Sequence, residues 1–150
     1  MDRIYEFAKE GLPVTLSLSL HAPNDAIRRK IMPVADAFAY GDVIAACRHY
    51  SEVTGRRVVF EYALIKDVNC DLRCADELAS KLRGMRAHVN LIPLNDVKER
   101  NLAAPSKRDV QAFLNRLELK RVSATIRREM GADIDGACGQ LRRRYLTEKA

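Results

Sequence analysis

Residues 14–20 read VTLSLSL, and the alternation in this stretch sets the fold. Val14, Leu16, Leu18 and Leu20 fall on one face of an extended chain, Thr15, Ser17 and Ser19 on the other, with His21 following on the polar side. Such a strand puts one face in a core and a small, polar face on a cavity. Moving outward, residues 42–53 place Val43, Ile44, Cys47 and Tyr50 on one helical stripe, which Gly55 ends. RVVFEYALI, residues 57–65, is a second strand. It carries Glu61 in its middle, a charge that is costly to bury without a partner or a wet cavity. Residues 71–83 form a helix that buries Leu72, Ala75, Leu78, Ala79 and Leu82, and a strand around HVNLIPL, residues 88–94, follows it. Ser106 caps another helix, with Asp109 completing a capping-box-like pattern and Val110, Phe113, Leu114 and Leu117 recurring at helical spacing. VSATI, residues 122–126, is the last strand. The order βαβαβαβ predicts an α/β fold of mainly parallel strands with crossover helices, in a single domain over residues 1–150.

Composition narrows the function classes. With 47% apolar residues the chain has the material for a core, and no run of apolar residues is long enough to span a membrane. The start, MDRIYEFAKE, lacks the pattern of a secretion signal, so a cytoplasmic address is expected. Cys47, Cys70, Cys74 and Cys138 are few and irregularly spaced, which predicts free thiols rather than a disulfide framework. The net charge of +6 is unevenly placed: Lys and Arg balance Asp and Glu over residues 1–96, so the whole excess lies in residues 97–150. A polyanion would dock there through counterion release, although a basic outer face also serves solubility.

Ligands of parallel α/β folds bind beyond the carboxyl ends of the strands. Ser19, Leu20 and His21, Asn95, and the loop holding Cys138 all fall there. Ser, His and Asn suit a polar small molecule, and each also serves as an ordinary turn or structural residue. Cys70 and Cys74 are spaced like part of a metal motif, but Glu77 stands where a third cysteine would be and no nearby histidine completes a zinc set, so no metal site is expected. Cys138 sits among Gly136, Ala137 and Gly139, with Arg127, Arg128, Arg142, Arg143 and Arg144 close in sequence to favour a thiolate. A nucleophilic or carrier role and a plain loop position both stand on these residues.

Four strings in order, SLHAPNDAIRRKIMPV (19–34), NLIPLN (90–95), TIRRE (125–129) and DIDGACGQLR (133–142), resemble the radical S-adenosylmethionine (SAM) methyltransferases that methylate carbon 2 of an adenine in 23S ribosomal RNA and in some transfer RNAs. The resemblance runs from about residue 10 to 146. It implies the C-terminal part of a partial (β/α) barrel, with Ser19, Leu20, His21 and Asn95 contacting SAM. Cys138 would be the cysteine that is methylated and carries the methyl group to RNA, with Arg127, Arg128, Arg142, Arg143 and Arg144 meeting phosphates. In the family scheme a second SAM is cleaved at a 4Fe-4S cluster fed by an electron donor, its radical activates the S-methyl group, and a second cysteine resolves the adduct.

The departures are as informative. The family's C-x-x-x-C-x-x-C cluster pattern, its resolving cysteine and its Gly-Glu motif are absent from these residues. Gly136 stands where Ala is usual, and Asp96 where many members have Pro. The expectation is therefore a portion of such an enzyme that is inactive alone and, with an unpaired sheet edge, prone to self-association. Two other readings are a basic α/β module that binds RNA without catalysis, and a small α/β fold that uses Cys138 in two-electron thiol chemistry.

Overall fold

The computed structural model describes residues 2–95 and 102–127. Its elements run in the order α1 (Asp2–Lys9), β1 (Leu16–Ser19), α2 (Asp25–Ile31), a 3-10 turn (Pro33–Asp36), α3 (Tyr40–Thr54), β2 (Val58–Leu64), α4 (Leu72–Leu82), β3 (Ala87–Pro93), α5 (Lys107–Leu119) and β4 (Ser123–Ile126). The four strands make one sheet in the order β1-β2-β3-β4, every neighbouring pair parallel, and among the described residues the sheet is open rather than closed into a barrel.

The period-2 pattern gives this sheet two different faces. Val58, Phe60, Tyr62 and Leu64 of β2 and Val89 and Leu91 of β3 are all fully buried, in one core with Val43, Cys47 and Tyr50 of α3, Leu78 of α4 and Phe113 of α5. The register pairs the alternate residues in two polar rows on the other face: Ser17, Val59, His88 and Ser123, then Ser19, Glu61, Asn90 and Thr125.

Local signals fix the helix ends. Gly55 takes the left-handed conformation (φ 66°) that stops α3. Asp71 caps α4 by accepting from Cys74 N at 2.7 Å. At α5, Ser106 Oγ accepts from Asp109 N at 3.1 Å and donates to Asp109 Oδ2 at 2.6 Å. Arg116 of α5 forks onto Asp76 of α4 at 2.8 and 2.7 Å.

Three expectations need correction. Leu72 lies at the first turn of α4 and is 47% exposed; Cys74 takes the buried place on that face. Val14 stands outside β1 and is exposed, its carbonyl accepting the Tyr50 hydroxyl at 2.9 Å. The structure also adds two helices to the expected order. α1 packs on α3 through Tyr5 against His49 and Phe7 stacked on Tyr50, and α2 is a short, charged helix held by the Asn24 cap.

Among the described residues no strand lies beside the outer edge of β1. A groove of about 570 Å³ runs along that edge, lined by Asp2, Ile4, Leu18, Arg28, Val34 and Phe38 among others. Arg28 is buried there, donating through Nη1 to the Phe38 carbonyl at 3.0 Å, while its Nε has no partner among the described residues.

Asn69, fully buried, ties the strand ends together. Its Nδ2 donates to the carbonyls of His21 and Ala63, each at 2.7 Å, and its Oδ1 accepts from Ile65 N at 2.7 Å. Asn69→Ala would remove the partner of the buried Ile65 N–H and of the part-buried carbonyls of His21 and Ala63, and each orphaned buried group costs about 1–3 kcal/mol. The expected outcome is a loss of stability of roughly 3 kcal/mol or more, read as a lower urea midpoint at unchanged m.

Candidate functional site

At its carboxyl end β1 stops at Ser19, but the chain stays hydrogen-bonded to β2 for two more residues. Leu20 N and His21 N both donate to the Glu61 carbonyl, at 3.0 and 3.2 Å. His21 then turns into the left-handed region (φ 57°), and its ring Nδ1 accepts from Ala63 N at 3.0 Å. The imidazole thus takes the place of the next carbonyl in the β1–β2 ladder. An acceptor at Nδ1 requires the neutral ring with its proton on Nε2. Burial holds the His21 pKa below its ordinary value, with Glu61 opposing and Arg28 reinforcing that direction.

The rest of the HAPND segment is pinned just as firmly. Asn24 caps α2 through Ile27 N at 3.0 Å and donates to Glu77 of α4 at 2.8 Å. Asp25 Oδ1 accepts from Tyr40 N, the first residue of α3, at 2.8 Å. The segment therefore sets the starts of two helices and leans on a third.

Ser19 and His21 sit at this carboxyl end, Ser19 exposed and His21 half-buried. Asn95 is exposed two residues past β3, where Leu94 N still bonds the Leu64 carbonyl at 3.0 Å. The fold brings Ser19, His21 and Asn95 to the same end of the sheet. Leu20 differs: its side chain is fully buried in the core, so only its backbone can meet a ligand. Arg127 is exposed immediately after β4, its N donating to the Leu91 carbonyl at 2.8 Å. Cys138, Arg128, Arg142, Arg143, Arg144, Gly136 and Asp96 lie outside the described residues.

Sequence reasoning singled out Glu61 only as a costly charge. Its carboxylate lies on the polar face beside Ser19 and accepts from Asn90 Nδ2 at 2.9 Å. Below it, His88 bridges Ser123 and Thr125, both at 2.9 Å. These residues carry one signal that the sequence did offer: they alternate with fully buried ones along β2 and β3.

Ser19, His21 and Asn95 present a hydroxyl, an imidazole and an amide at the carboxyl end of the sheet, with the Glu61 carboxylate beside Ser19, groups of the kind that bind a polar small molecule. A metal cluster fits poorly. Among the described residues no three His, Cys, Asp or Glu side chains gather as ligands. Burial pushes the thiols of Cys47 and Cys70 up to about 11 and that of Cys74 to about 12, which keeps them in the thiol form at neutral pH.

No protein-family model matches the chain. It is 48% identical over 148 residues to the probable dual-specificity RNA methyltransferase RlmN of Lachnospira eligens, which covers 99% of this chain and 42% of that protein. It is 54% identical over 145 residues to the RlmN of Lachnoclostridium phytofermentans, covering 97% and 41%. Among solved structures it matches a radical SAM methyltransferase from Sphaerobacter thermophilus with a TM-score of 0.86 and 45% identity, over 93% of this chain and 41% of that one. A domain of the pyruvate-formate lyase-activating enzyme from Bacteroides vulgatus matches with a TM-score of 0.68 at 18% identity, a likeness of fold alone. The chain thus spans about two-fifths of the length of the methyltransferases it resembles.

The neutral state of His21 has a consequence for stability. Burial also lowers the pKa of His88, with Arg57 reinforcing and Glu61 opposing. In the unfolded chain both histidines titrate near about 6.5, so below that pH the unfolded state binds more protons than the folded one. Their contribution is fully present above the unfolded value and is lost as pH falls through the depressed folded values. The urea midpoint is therefore expected to drop between pH 7.5 and 5.5, and His21→Gln to flatten part of that slope, leaving the His88 share.

Proposed function

We propose that this chain, related along nearly its whole length to radical SAM methyltransferases, is the C-terminal portion of a cytoplasmic RNA methyltransferase that modifies carbon 2 of an adenine. The substrate is 23S ribosomal RNA, with transfer RNA as a second target. The observation that carries this reading is the breadth of the likeness: 46–54% identity to RNA methyltransferases over 97–99% of the chain.

In this reading the SAM site uses the Ser19 hydroxyl, the Leu20 backbone, the His21 imidazole and Asn95. His21 Nδ1 is committed to Ala63, so Nε2–H is the atom left to donate to a ligand. SAM would supply the methyl group and, at a cluster held by residues outside this chain and fed by an electron donor, the radical chemistry. Cys138 is the methyl carrier, and Arg127, Arg128, Arg142, Arg143 and Arg144 hold RNA phosphates close to it. Because the cluster ligands are not supplied here, the portion is inactive alone, and its open β1 edge favours self-association.

The test is to substitute this chain for the matching two-fifths of the full-length Lachnospira eligens relative and assay methylation of adenine in a 23S RNA transcript. Methylation with the exchanged chain, and a loss of at least about a thousandfold with Cys138→Ser, is the expected result. A folded hybrid that binds RNA but methylates nothing, or one that tolerates Cys138→Ser, overturns the reading.

The concentration of positive charge in residues 97–150 favours RNA binding whether or not catalysis follows. Neutralising Arg142 to Arg144 is expected to lower the salt slope of RNA affinity by about 2, while Cys138→Ser leaves that affinity unchanged.

A further inference from the structure

Glu61 is the one acidic side chain that the described strands place on their polar face, alongside Ser17, Ser19, Val59, Ala63, His88, Asn90, Ile92, Ser123 and Thr125. Among the described residues no Lys, Arg or His lies within ion-pair distance of it. The carboxylate is half-buried and held in place by Asn90 Nδ2 at 2.9 Å. A fixed, partly desolvated carboxylate without a cation is an arrangement that a positively charged ligand completes.

Its neighbours say where that ligand lies. Ser19 is the register partner of Glu61, and His21 is bonded to Ala63, the next residue on the same face of β2. A molecule gripped by Ser19 and His21 is therefore laid beside the Glu61 carboxylate. SAM carries an ammonium and a carboxylate that offset each other, and a sulfonium whose charge nothing in the molecule balances. A lone carboxylate gains most against the unbalanced charge. We infer that Glu61 is the counter-charge for the sulfonium of SAM, positioned by Asn90, and that it makes the site prefer SAM over S-adenosylhomocysteine, the neutral thioether left when the methyl group is gone. The inference rests on the reading of Ser19 and His21 as a SAM site.

Calorimetric titration of the chain with SAM and with S-adenosylhomocysteine tests it. The expected result is about tenfold tighter binding of SAM by the wild type. Glu61→Gln, which keeps the acceptor for Asn90, weakens SAM about tenfold and S-adenosylhomocysteine less than about twofold; Glu61→Asp, which keeps the charge, retains a preference for SAM. Equal affinity of the wild type for both compounds overturns the inference, and so does an equal loss of both in Glu61→Gln. The wild-type comparison decides the matter even where a variant does not fold. Binding of neither compound by the wild type overturns the underlying SAM-site reading instead, so the two failures are told apart.

Discussion

Where a parallel strand ends and its neighbour runs on, the longer strand keeps backbone groups that the ladder no longer satisfies, and burial forbids leaving them bare. In this protein two side chains meet that demand at the junction of β1 and β2. The His21 ring accepts the Ala63 N–H, and the Asn69 amide takes the Ile65 N–H and the carbonyls of His21 and Ala63. The chain can turn sharply after Leu20 only because these substitutes are in place. The orientation of Ser19 and His21, the start of α2 and the course of the loop after β2 all follow from that arrangement.

This explains which parts of the molecule were legible in the sequence. The strands were, because an alternation such as that of Val58 to Leu64 has few other uses, and α3 and α5 were, because Gly55 and Ser106 mark their boundaries. The polar face was legible in the same alternation, and with it Glu61, though not what holds it. Asn69 gave no sign, since a lone Asn in a loop has no periodicity and its importance comes from groups four to forty-eight residues away. α1 and α2 were hidden by shortness, with eight and seven residues, and exist through tertiary packing and a cap. The misplaced Leu72 and Cys74 show a further limit. Helical spacing defines a stripe, but at a first turn the packing of the neighbouring elements decides which residue of that stripe goes inward.

The two faces of the sheet also separate stability from chemistry. The buried face is apolar except for hydroxyls such as those of Tyr50 and Tyr62, which donate to the carbonyls of Val14 and Asn69, and the thiols of Cys47 and Cys74 are buried with it. Among the described residues the opposite face carries hydroxyls, an imidazole, an amide and a single carboxylate in rows that the register keeps aligned.

The strand order β1-β2-β3-β4 equals the chain order, so each strand pairs with the next one made and no connection has to leap over a neighbour. During synthesis each helix and strand can therefore dock on a surface that has already left the ribosome, and growth is directional, like the addition of units to a repeat protein. Such a sheet can be divided between units without severing any pairing on either side of the cut. The architecture is thus one in which pieces of a gene can be gained or lost whole.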